Sequence, residues 1–166
     1  KVIGDYTYIW HDVRPHPSFG TIEVRVMDSQ TRVEHTLAIA ALIQAMAKEL
    51  AEHYEAGKEL SRYPYEMLDE NKWLAARHGL EGELVDLPAT DRVAAAELGR
   101  RLMERLRPHA EELGSVEEFD GLEDILDNGT GAARQALVYE ANHGLQEVVR
   151  EIVQASVPEA AETPGN

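Results

Sequence analysis

A chain of 166 residues with a formal net charge of -15 and no cysteine excludes disulfides, thiolate metal sites and a cysteine nucleophile. The excess of carboxylates argues against nucleic acid or an anionic membrane as partner, because both demand clustered Lys and Arg. No stretch approaches the ~20 uninterrupted apolar residues of a membrane span, and 43% hydrophobic residues supply one domain with a core. The expectation is a cytoplasmic protein. A nucleotide stays open as a ligand, since carboxylates holding a divalent cation and a few placed arginines create a local field that net charge does not describe.

In chain order, residues 6–13 alternate aromatic and β-branched side chains and predict a strand. Pro15 and Pro17 forbid helix and Gly20 supplies turn freedom, so a loop of about seven residues containing Arg14 and His16 is expected to lead into a second, antiparallel strand. Over 21–27 the period is two, which sends Ile22, Val24 and Val26 to one face and Thr21, Glu23, Arg25 and Met27 to the other. Glu23 and Arg25 are then neighbours, a carboxylate able to hold a divalent cation beside a guanidinium fork able to clamp a phosphate or carboxylate. On a solvated strand the same two residues would be a surface ion pair worth about 0 to 1 kcal/mol.

From Val33 to about Tyr54 the period becomes helical, with Ile39, Leu42, Ile43, Met46, Leu50 and Tyr54 on one stripe. The many alanines make this helix slim, and it is expected to cross the apolar back of the strand and bury Ile22, Val24 and Val26. Gly57 ends it, and 58–64 reads as a loop. A second helix runs from Tyr65 to His78 and closes at Gly79; Arg77 lies one turn beyond Trp73, within stacking reach of the indole. Residues 84–87 read as extended. Thr90 is expected to cap a helix through Val93, Leu98, Leu102 and Leu106 that Pro108 interrupts or kinks. Ser115 and Glu118 have capping-box spacing for a helix through Phe119, Leu122, Ile125 and Leu126, closed by Gly129. Thr130 caps the next helix, and Leu145, Val148, Val149 and Ile152 mark the last. Residues 158–166 read as a disordered acidic tail.

The run Trp10-His-Asp-Val-Arg-Pro-His-Pro-Ser-Phe-Gly-Thr-Ile-Glu-Val-Arg25 resembles the bacterial type 2 glutamate–cysteine ligase and carboxylate–amine ligase family. Its second half, Gly20-Thr-Ile-Glu-Val-Arg-Val-Met-Asp28 before an Ala-rich helix, resembles the active-site strand of glutamine synthetases. The likeness continues through Glu70-Asn-Lys-Trp-Leu-Ala-Ala-Arg-His-Gly79 and, less closely, through Asn128-Gly-Thr-Gly-Ala-Ala-Arg-Gln135.

The resemblance implies an ATP-dependent ligase that phosphorylates a substrate carboxylate and lets an amine attack the acyl phosphate, with ATP and Mg2+ as cofactors and small molecules as partners. It implies that Glu23 is a magnesium ligand, that Arg25 clamps the phosphoryl group or substrate, that Arg14 assists, and that His16 positions substrate or relays a proton. Asn71 and Arg77 would face the site. Arg134 would contact an anion, although Ala133 stands where the family more usually has an acidic residue. The expected fold class is α+β: an antiparallel strand pair, part of a glutamine synthetase-like sheet, packed by a long Ala-rich helix and followed by a mostly helical C-terminal half. Residues 1–157 would form the C-terminal portion of one catalytic domain whose upstream half supplies further strands and acidic ligands. An apolar strand edge without its neighbours favours a homo-oligomer. The alternative is a non-enzymatic assembly or regulatory domain that dimerises through that edge.

Overall fold

The computed structural model describes residues 4–157. Its order is β1 (Val13–His16), β2 (Thr21–Val24), α1 (Val33–Glu55), α2 (Tyr65–His78), β3 (Glu83–Asp86), β4 (Asp91–Ala94), α3 (Ala95–Leu113), α4 (Val116–Asp120), α5 (Leu122–Asn128), α6 (Gly131–Asn142) and α7 (Leu145–Ala155). The α+β class holds: two antiparallel strand pairs, β1 with β2 and β3 with β4, accompany a long helix and a mostly helical second half. The tail expected over 158–166 lies outside the described residues.

The core forms where α1 meets α3, α4 and α5. Its buried members are Ala38, Ala41 and Ala45 of α1, Met103, Leu106 and Ala110 of α3, Phe119 of α4 and Leu122 of α5. The α1 stripe differs from the expected one. Met46, Leu50 and Tyr54 are exposed and Ile39, Leu42 and Ile43 half-buried, while the alanines at spacings of three and four are sealed. Small side chains let the helix axes approach closely, so the large residues of α3 and α4 fill the space. Leu106 and Phe119 are fully buried, each worth about 1.5–3 kcal/mol of apolar transfer. Gly121, between α4 and α5, belongs to the same close approach: a Cβ there would lie 3.3 Å from that of Ala38 and 3.0 Å from the Glu118 carbonyl oxygen.

Several local expectations are corrected. Residues 6–8 form a 3₁₀ turn capped by Asp5, whose carboxylate accepts from the Thr7 N–H at 2.8 Å, so the first strand starts only at Val13. Arg14 and His16 therefore lie in β1, and the connection shrinks to residues 17–20. Pro15 is tolerated because the Arg25 N–H donates to the Asp12 carbonyl at 2.7 Å; with the register Arg14↔Glu23, that bonding phase leaves residue 15 facing outward, where its missing N–H breaks no ladder. Thr90 caps no helix. It sits in the β3–β4 turn at φ 63, and α3 begins five residues later. Pro108 forfeits one backbone bond, yet α3 continues to Leu113, held by buried Leu106 and Ala110 on either side. Ser115 precedes α4 but its hydroxyl makes no cap, being buried without a partner, and Gly121 divides the expected helix into α4 and α5.

The hairpin corrects the packing expectation as well. Ile22 and Val26 are 55% and 58% exposed instead of buried beneath α1, and Val24 is half-buried. The extensive contacts of β1 and β2 are with each other and with the 3₁₀ turn.

Candidate functional site

The β1–β2 register decides which side chains meet. Arg14 pairs with Glu23 and His16 with Thr21, so the two-residue repeat of a strand sets Arg14, His16, Glu23 and Arg25 on one face and Val13, Pro15, Ile22 and Val24 on the other. Arg14 donates from Nε to Glu23 Oε2 at 2.7 Å, and its Nη2 lies 2.5 Å from the same oxygen. Arg25 Nε is 3.7 Å from Oε1, and its guanidinium lies over the Trp10 ring at 5.4 Å. The result is one carboxylate between two guanidinium groups. In a chain of net charge -15 this trio carries a net positive charge.

His16 is fixed on the same face. Its Nε2 is 2.8 Å from the Tyr6 hydroxyl, its ring stacks on Phe19 at 4.4 Å, and its Nδ1 is buried without a partner. The hairpin is tied to α2 by Lys72, whose ammonium donates to Asp12 at 3.1 Å; that bond raises the lysine pKa above its ordinary value.

The remaining predicted residues lie on other elements. Asn71 turns its amide to β3, donating to the Val85 carbonyl at 2.8 Å and accepting from the Val85 N–H at 2.7 Å. Both ends of that side chain are occupied by backbone. Arg77, near the end of α2, lines a cleft of about 1080 Å³ together with the 28–31 segment and the start of α6. The ring beside Trp73 is that of His78, edge-on at 6.0 Å, and the arginine found over an indole is Arg25. Arg134 is half-buried on α6, and Thr130 caps that helix as expected, accepting from the Ala133 N–H.

Sequence reasoning missed a polar knot between α1 and α5. His35 is 4% exposed on α1, with Nε2 2.7 Å from Asp124 Oδ2 on α5. Asn128 donates to Asp124 Oδ1 at 2.6 Å, and Arg32 lies 3.7 Å from Oδ2. The His35 bond first, then the Asn128 bond, holds the Asp124 carboxyl below the usual carboxylate range. The available signal was a histidine in phase with the alanine stripe at 38, 41 and 45.

Among the described residues no three His, Asp or Glu side chains converge on a point that could hold an ion. The described residues therefore supply no complete magnesium site by themselves. No described helix is long and apolar enough to cross a membrane.

The sequence profile of glutamate–cysteine ligase family 2 matches residues 1–154. The chain belongs to glutamate–cysteine ligase family 2. Among curated members, the chain is 41% identical over 160 residues to "Putative glutamate--cysteine ligase 2-1" of Rubrobacter xylanophilus, covering 96% of this chain and 42% of that protein. A second Rubrobacter xylanophilus protein, "Putative glutamate--cysteine ligase 2-3", is 43% identical over 154 residues, with 93% and 40% covered. "Putative glutamate--cysteine ligase 2" of Sorangium cellulosum is 40% identical over 148 residues, with 89% and 40% covered. The chain thus spans about two-fifths of the length of these family members.

Proposed function

We infer that this chain carries the anion-handling hairpin of an ATP-dependent carboxylate–amine ligase of the glutamate–cysteine type. Family membership supports the ligase class, and the observation that carries the site is the Arg14–Glu23–Arg25 face with its paired guanidiniums. In the reaction proposed, a substrate carboxylate oxygen attacks the γ-phosphorus of ATP, the bond to the β-bridging oxygen breaks, and ADP leaves. The amine then attacks the acyl phosphate, losing a proton and releasing inorganic phosphate as the amide forms.

Positioning and charge stabilisation are what such a transfer asks of a protein. Arg25, loosely paired with Glu23 and placed over Trp10, is suited to follow the transferring phosphoryl oxygens. Arg14 holds Glu23 in place and leaves Oε1 the freer oxygen, the one that would serve as a single magnesium ligand. His16, fixed on that face by Tyr6 and Phe19, is suited to position substrate. Because no three described carboxylate or histidine side chains converge on an ion position, no step is routed through the metal.

Glu23→Gln and Arg25→Lys in a polypeptide of the relatives' full length test the reading by ADP release with ATP, magnesium, glutamate and cysteine. Each should lower turnover by about 100-fold, the usual loss for one transition-state contact. Both should melt within about 2 °C of the parent, as exposed substitutions do. Full activity in both variants returns the pair to the status of a surface ion pair.

A further inference from the structure

Arg25 is held at both ends by residues 10–12, the segment that precedes β1. Its backbone N–H donates to the Asp12 carbonyl at 2.7 Å, and its guanidinium carbon lies over the Trp10 ring, 5.4 Å from the centroid. The nearest carboxylate competes weakly. Glu23 Oε2 is taken by Arg14, whose Nε donates to it at 2.7 Å, and Arg25 Nε stays 3.7 Å from Oε1, beyond hydrogen-bond length. A cation over an indole face is attracted by the ring quadrupole, a contact that occupies no N–H donor. Trp10 therefore restrains the guanidinium while leaving its donors open to an oxyanion. The indole-bearing residue is 78% exposed, so it adds little to any core, and its contact with Arg25 is a matter of placement rather than of burial.

The segment is fixed in turn by α2. The Lys72 ammonium lies 3.1 Å from each oxygen of the Asp12 carboxylate, and the preceding residue, Asn71, clasps the Val85 backbone of β3 with both ends of its amide. Adjacent residues of one helix thus tie it to two hairpins. The Lys72 and Asp12 side chains are 45% and 47% exposed, and an ion pair so placed contributes little to stability. Its effect is geometric, because an anchor on the Asp12 side chain also fixes the carbonyl to which the Arg25 N–H is bonded. We propose that Trp10 and Lys72 are positioning residues for Arg25, the indole by restraining its guanidinium and the ammonium by fixing, through Asp12, the backbone that carries it. Neither side chain needs to touch substrate for this. The task given to Arg25 rests on the ligase reading; the restraint does not.

Restraint and task are measured separately. Magnetic relaxation at the Arg25 Nε of this chain, labelled at arginine, should report a side chain as ordered as the β2 backbone. Trp10→Leu should set it free, and Trp10→Phe, which keeps an aromatic face, should not. Deuterium exchange at the Arg25 amide should quicken severalfold in Lys72→Met and return to the parent rate in Lys72→Arg. In a polypeptide of the relatives' full length, Trp10→Leu should lower kcat by about tenfold, as misplacement of a transition-state contact does, with the KM for ATP within about twofold. Trp10→Phe should recover most of that loss. Because the effect passes through Arg25, Trp10→Leu should cost less than about twofold in an Arg25→Lys background. A mobile Arg25 Nε in the parent, parental kcat in Trp10→Leu, no recovery in Trp10→Phe, an undiminished loss beside Arg25→Lys, or parental amide exchange in Lys72→Met overturns the proposal. A mobile Nε beside an inactive Arg25→Lys removes the positioning role alone, whereas an ordered Nε beside a fully active Arg25→Lys overturns the hairpin reading and the positioning role with it.

Discussion

In the helical core the sheltered face of α1 carries its smallest side chains, Ala38, Ala41 and Ala45, whereas in the hairpin the better-sheltered face carries the charge of Arg14, His16 and Glu23. The apolar face of the hairpin, with Val13 and Ile22, lies open. In each region the element opposite decides what is covered. α1 has α3, α4 and α5 against it, with Leu106 and Phe119 to fill the gap. The charged hairpin face has the 3₁₀ turn, Tyr6 and Trp10 over it. Burial therefore measures partnership more than hydrophobicity, and stability is concentrated where helices meet.

Substitutions in the two regions should separate accordingly. The largest effect belongs to Phe119→Ala, which removes a fully buried ring between α1 and α3. It should cost about 3–5 kcal/mol, read by urea unfolding, and a loss under 1 kcal/mol would mean that the core lies elsewhere.

A smaller effect belongs to the polar knot. The Asp124 pKa is depressed in the folded state, so its contribution is present above the unfolded carboxyl value, near 3.9, and is lost as pH falls through the folded value. Asp124 is 38% exposed, and with that screening Asp124→Asn should cost about 1 kcal/mol at pH 7. The gap between parent and variant should close as the pH is lowered below about 4; a gap that widens on acidification reverses the assigned sign. At the small end, Ile22→Thr on the open hairpin face should change stability by less than about 0.5 kcal/mol. A loss comparable to Phe119→Ala would show that Ile22 is covered in solution.

The helices were legible wherever a long 3.6-residue period and a glycine stop coincided, as in α1 with Gly57 and α2 with Gly79. The face of α1 was misread because hydrophobicity ranks Ile and Leu above Ala, while close helix approach reverses that order. The β3–β4 hairpin was hidden because Thr90 before Asp91 has the chemistry of a helix cap, and nothing local announces a β-branched residue at positive φ. The Glu23–Arg25 adjacency followed from period two alone. The part played by Arg14 did not, since Pro15 and Pro17 pointed to a loop and only the bonding phase shows that Pro15 faces outward. The Asp124 knot joins residues 89 positions apart, a separation no local pattern spans.

Asn71 leaves one further consequence. With the Ala95 N–H donating to the Gly82 carbonyl, the ladder phase turns the Val85 N–H and carbonyl away from β4, and the Asn71 amide takes both. An outward strand amide ordinarily exchanges its proton with solvent at once. The Val85 proton instead exchanges only when α2 lifts from β3, so deuterium uptake at this one amide is a clock for the docking of the helix that carries Arg77 and Lys72.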